Sequence, residues 1–108
     1  MIACSDSPFT VSSSQHRILG AQVIVRFADD LVLKLTQIEA STLSLALVAV
    51  RDGISDEREI YMSPIASDAA FVGVVQEGGM SIGATAGRLE LDWVAVGCLA
   101  AALAAAVG

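Results

Sequence analysis

Hydrophobic and polar residues alternate strictly along much of this chain. In AQVIVRF, Val23, Val25 and Phe27 alternate with Gln22, Ile24 and Arg26. Successive side chains of a strand point to opposite faces, so this pattern predicts a strand with one apolar face. ADD then marks a turn, and LVLKLTQ alternates Leu31, Leu33 and Leu35 against Val32, Lys34 and Thr36. A helix starting at Asp30 also fits Leu31, Leu35 and Ile38, but the strict alternation favours a hairpin. STLSLALVAV repeats the pattern with Leu43, Leu45 and Leu47 against Ser44, Ala46 and Val48, predicting a third strand. RDGISDERE reads as a charged loop with a glycine turn. MSIGA and GRLELDW form a last hairpin around TAG, with Leu89, Leu91 and Trp93 inward and Arg88, Glu90 and Asp92 outward.

Residues 56–76 have no single reading. Pro64 forbids a regular helix across its preceding turn, while a short helix starting there could take Ser63 as its cap. FVGVVQ fits a strand or a helix end. Residues 1–15, rich in serine, read as a mobile polar leader or an edge segment, with residues 16–108 as a single domain. There is no internal repeat in this reading.

The chain closes on WVAVGCLAAALAAAVG, without charge, amide or hydroxyl. A membrane-spanning helix needs about 20 apolar residues, and Asp92, Glu90 and Arg88 cut this run short. Val96, Leu99, Leu103 and Val107 recur at helical spacing and predict a terminal helix packed on a sheet. Its other side holds Ala100, Ala101, Ala104 and Ala105, where a solvent face would carry Lys, Glu or Gln. These four alanines are therefore candidates for self-association.

Composition sharpens this picture. Of the 108 residues, 55% are hydrophobic and 17% charged, more apolar than an ordinary soluble domain. Some of that surface is expected to be covered by a partner or a second copy. The net charge is −6 and Lys34 is the only lysine. Nucleic-acid binding rests on clustered Lys and Arg, and docking on anionic lipid needs the same, so neither class is expected. Cys4 and Cys98 are the two cysteines. With no secretory signal in the leader, a reduced pair in a cytoplasmic protein is the favoured reading, and one Cys4–Cys98 bridge is the alternative if the ends meet.

Several patterns imitate catalytic motifs. GMSIG matches the nucleophile-elbow spacing around Ser81, but that elbow needs a following helix and later acid and histidine partners. The only histidine, His16, precedes it. Asp52, Asp56, Glu57 and Glu59 form an acidic cluster that lacks calcium-loop spacing and is offset by Arg51 and Arg58. The glycines at 78, 79, 83 and 87 match no phosphate-binding spacing. No catalytic set, metal site or cofactor is expected, and the chain reads as a non-enzymatic protein.

DDLVLKL, LSLALVAV, GGMSIG, GRLEL and CLAAALAAAV, in that order, resemble the layout of class I type III secretion effector chaperones over roughly residues 22–107. The resemblance implies a small acidic homodimer that holds an unfolded effector segment along its surface, without nucleotide. The expected fold is α+β: an antiparallel sheet of about five strands with the C-terminal helix packed on one face. A small acidic inhibitor, such as a toxin-immunity or anti-defence protein, and a structural subunit of a phage-type assembly are the competing readings. In the three strands, alternation places Ile24, Val32, Val48 and Val50 on the face opposite the core, beside Arg26 and Lys34. That face is too apolar for open water and is the expected partner-binding surface.

Overall fold

The computed structural model describes residues 9–18, 20–28, 31–66, 70–84 and 87–107; at 16, 28, 84 and 87 it describes the backbone alone. Strands β1 (Thr10–His16), β2 (Gly20–Ala28) and β3 (Leu31–Thr36) form one antiparallel sheet in that order. Helix α1 (Gln37–Arg51) follows without a loop. Strands β4 (Glu59–Met62), β5 (Phe71–Gln76), β6 (Gly79–Ala84) and β7 (Gly87–Asp92) form a second antiparallel sheet, again in chain order. Helix α2 (Trp93–Val107) closes the described chain.

The fold is α+β with a C-terminal helix, but the single sheet of about five strands is replaced by sheets of three and four. The main correction is at STLSLALVAV, which is helical and forms most of α1. Ala40, Leu43, Ser44, Leu47 and Val50 are buried, at helical spacing, while Leu45 is 69% exposed rather than inward. A local signal explains the helix. Thr36 accepts a hydrogen bond from the Glu39 amide at 3.1 Å, and Glu39 accepts one from the Thr36 amide at 2.9 Å. This reciprocal capping box satisfies donors that a helix start leaves open.

Both hairpins lie where the alternation places them, except that Trp93, expected at the end of the last strand, starts α2, and Gln22, expected outward, is buried. Val23, Val25, Phe27, Leu31, Leu33 and Leu35 are all buried, and Leu91 is buried beside a half-exposed Leu89. Residues 56–76 supply β4 and β5, and no helix begins at Pro64 among the described residues. The boundary expected at residue 15 falls inside β1, which pairs with β2 from Thr10 to His16. Thr10–Gln15 are thus edge strand rather than leader; residues 1–8 lie outside the described residues.

The chain also contains a structural repeat. Val11 pairs with Val25, and Val25 with Leu33; Gly73 pairs with Ile82, and Ile82 with Leu89. Ser13–Val23–Leu35 is matched in the same way by Val75–Met80–Leu91. After Leu35 and Leu91, Thr36 and Asp92 each cap a helix; Asp92 accepts from the Ala95 amide at 2.8 Å. The buried positions Ala40, Leu43, Ser44 and Leu47 of α1 recur in α2 as Val96, Leu99, Ala100 and Leu103. Each half is therefore three antiparallel strands running into a helix, and among the described residues β4 has a place in the second half only.

The helices pack on each other, and the equivalent residues meet: the Ser44 hydroxyl donates to the Ala100 carbonyl at 2.8 Å, 56 residues away in sequence. Beyond α1, α2 touches β1 and β2 of one sheet and β6 and β7 of the other. The Phe27 ring lies 5.9 Å from that of Phe71 and 6.4 Å from that of Phe9, joining the sheets at their aromatic edge.

Of the buried polar residues Gln22, Ser44 and Ser81, only Gln22 carries an unpaired side-chain atom among the described residues. Gln22 is 4% exposed, and the unpaired atom is its Nε2. It stands opposite Thr36 as Gly79 stands opposite Asp92 in the other half. An unpaired buried amide costs free energy that a thioether of similar length does not. Gln22→Met is expected to raise stability by about 1 kcal/mol, read as an upward shift of the thermal midpoint. A fall of that size would show that the amide is paired.

Candidate functional site

The expected partner face is divided by the fold. Ile24 and Arg26 of β2 stand beside Lys34 and Val32 of β3, pairing as Ile24 with Lys34 and Arg26 with Val32. All four lie on the side of the first sheet away from the core: Ile24 and Val32 are half-buried, Arg26 and Lys34 exposed. Thr10, Ser12 and Ser14 of β1 continue this face as exposed polar positions. Val48 and Val50 do not belong to it. Both sit near the end of α1, with Val50 in the core at 8% exposure and Val48 packed against the core. Placing them beside Ile24 followed from reading α1 as a strand.

The alanines of α2 also divide. Ala100 is 2% exposed and faces Ser44, so it belongs to the helix crossing rather than to a free surface. Ala101, Ala104 and Ala105 are exposed. Periodicity within α2 alone could not show that α1 exposes large apolar residues at equivalent positions. On α1, Ile38 is 80% exposed and Leu45 69%. Their repeat equivalents on α2 are Val94, 52% exposed, and Ala101. The outward side of the helix pair thus carries the same apolar stripe twice, and α2 has no charged residue anywhere along it.

A cavity of about 550 Å³ opens between the end of α1 and the start of α2. Arg51, Asp52, Trp93, Val94, Gly97, Cys98 and Ala101 line it. The Trp93 indole N–H donates to the Glu77 carbonyl at 3.1 Å, fixing the start of α2 to the β5–β6 turn. Arg51 lies against Gly97, where a side chain would come within 2.8 Å of its Nη1. Arg51 Nε donates to Asp52 Oδ1 at 2.9 Å. This hydrogen bond holds the Asp52 carboxyl below its usual range and the guanidinium above its own. Both groups are exposed, so the pair adds little to stability.

The residues weighed for chemistry are scattered. Ser81 is fully buried within β6, and its hydroxyl accepts from Arg88 Nε at 2.6 Å. It stands on a strand, not at a strand-to-helix elbow. The side chain of His16 lies outside the described residues. Among the described residues, no group of three His, Cys, Asp or Glu side chains is placed to hold a metal. Cys98 is 6% exposed and disulfide-bonded, which corrects the expectation of a reduced thiol. Cys4 lies outside the described residues. Disulfides persist in oxidising compartments, so the cytoplasmic expectation loses the support that reduced cysteines gave it. No helix among the described residues is long and apolar enough to cross a membrane.

Comparison with known proteins adds no relative: no family model, no curated protein and no solved structure matches the chain.

Proposed function

We propose that this chain is a non-enzymatic binding protein whose contact surface is the outward side of its helix pair, occupied by a second copy. The observation that carries the reading is the apolar stripe Ile38, Leu45, Val94 and Ala101, repeated across both halves and flanked by the exposed Ala104 and Ala105. Single exposed apolar residues are ordinary, whereas a set repeated at equivalent positions of two packed helices argues for a contact. The equivalence of the two halves suits a symmetric interface, in which one patch meets its own copy. The secretion-chaperone version, in which the dimer also holds an effector segment, rests on the segment resemblance. The helical state of LSLALVAV removes one element of that resemblance.

Light scattering at micromolar concentration tests the reading. The protein is expected to show a dimer mass, and Leu45→Glu or Ala101→Glu to shift it to monomer. Both positions are exposed in the single chain, so each variant is expected to keep its unfolding midpoint. A monomer at all concentrations would sink the proposal.

A further inference from the structure

The two halves differ at one place that matters for recognition. In the second half, β4 lies along β5, with Ile60 opposite Gly73 and Met62 opposite Phe71. Ile60 and Met62 pack against the core while Glu59 and Tyr61 stay exposed. Phe71 and Gly73 are buried beneath this strand. In the first half, β1 takes the place of β5, and no described strand lies along its outer side. Phe9 and Val11, the equivalents of Phe71 and Gly73, are only half-buried and pack at the margin of the core. Among the described residues, no strand of the first half covers the two positions that β4 covers in the second.

The edge itself is receptive. A sheet edge offers unpaired N–H and C=O groups, and natural edges are commonly blocked by lysine, proline or inward charge. Thr10–His16 contains no lysine, proline, Asp or Glu. The direction of the free groups follows from the repeat. In β5, the Val75 amide donates toward the β4 side, to the Arg58 carbonyl at 2.8 Å. Ser13 is the equivalent of Val75, and alternation along a strand gives Val11 the same outward amide.

We propose that the outer edge of β1 is a binding site for an extended segment of a partner protein, added antiparallel in the place that β4 takes on β5. The segment pairs with Phe9–Ser12. It carries two apolar residues separated by one, seated opposite Val11 and Phe9 as Ile60 and Met62 are seated opposite Gly73 and Phe71. The residues between them face solvent and tolerate polar or charged side chains. Main-chain hydrogen bonds supply affinity, and the two apolar positions supply selectivity. This site is separate from the helix stripe and stands or falls without it.

The test uses a synthetic peptide copying residues 58–63, Arg-Glu-Ile-Tyr-Met-Ser, titrated into the full chain and followed by amide NMR shifts. Shifts are expected at residues 9–13, and none with a peptide in which the Ile and Met positions are aspartate. Ser13→Pro removes an outward donor and suits an edge strand; it is expected to weaken binding at least about tenfold with the thermal midpoint kept. If Ser13→Pro unfolds the protein, a peptide N-methylated on its bonding edge replaces it, and binding by that peptide at full strength overturns the site. Shifts outside β1, or no shifts at millimolar peptide, also overturn it. Concentration-dependent shifts at residues 9–13 without peptide would assign the edge to a second copy and overturn the partner segment. Leu45→Glu is expected to leave the peptide response unchanged, so failure of the helix interface and failure of this site read separately.

Discussion

Gly79→Ala is expected to be the most damaging single methyl addition in the described chain. Gly79 opens β6 at φ +156 and pairs with Asp92. A Cβ there would fall 1.8 Å from the Leu91 carbonyl oxygen and 2.7 Å from the Asp92 Cα. Both obstacles are backbone, so no side-chain rotation relieves them. Moving β7 away would displace Asp92, whose carboxylate caps α2 at the Ala95 amide. The strain therefore reaches the helix start, and the expected cost is about 3 kcal/mol or more. Urea unfolding should show a lower midpoint with an unchanged slope. Gly78→Ala is the control: its added Cβ meets nothing within 4 Å. If the two variants unfold alike, the β6–β7 junction is looser than its geometry implies.

Ala100→Leu is the second large effect. Ala100 and Ser44 are 2% and 7% exposed where α1 meets α2, and the Ser44 hydroxyl reaches the Ala100 carbonyl at 2.8 Å. Only small residues permit that approach. Three added carbons must push the helices apart or displace the leucines beside them, Leu43, Leu47, Leu99 and Leu103, all fully buried. Overpacking of this kind costs about 1–3 kcal/mol, and the upper end is expected because both residues at the crossing are buried. Ala101→Leu, one position along and exposed, should be near neutral in thermal unfolding. Ser44→Ala should cost only about 1 kcal/mol, because the Ala100 carbonyl keeps its own helical hydrogen bond. Equal losses from Ala100→Leu and Ala101→Leu would contradict the crossing as described.

The hairpins were legible because each has one buried face, which forces period-two alternation on Val23, Val25 and Phe27 and on Leu31, Leu33 and Leu35. Helix α1 was not, because STLSLALVAV satisfies both periods. Leu43, Leu45 and Leu47 alternate, while Ala40, Leu43, Leu47 and Val50 form a helical stripe. The deciding signal lay just upstream, in the spacing of Thr36 and Glu39. The expected partner face failed at Val48 and Val50 for the same reason, since their membership depended on strand parity. The repeat was hidden because burial constrains few positions. Between the halves, Leu33, Leu35, Leu43 and Leu47 match Leu89, Leu91, Leu99 and Leu103, whereas exposed partners such as Lys34 and Glu90 differ. The helix stripe needed both helices in view, because Ile38 and Leu45 gain meaning only beside Val94 and Ala101.

Every strand pairing among the described residues joins neighbours along the chain. The ends of each ladder are brought together by short excursions, so little loop entropy is lost before contacts form. Pairings of this kind are local and favour rapid closure of each sheet, whereas the helix contact is long-range. Each half can close its sheet while the other is still unformed. The late event is then the meeting of α1 with α2, which joins residues as distant as Ser44 and Ala100. Substitutions at that crossing are expected to act late in folding, with φ-values near zero, and those within a hairpin earlier.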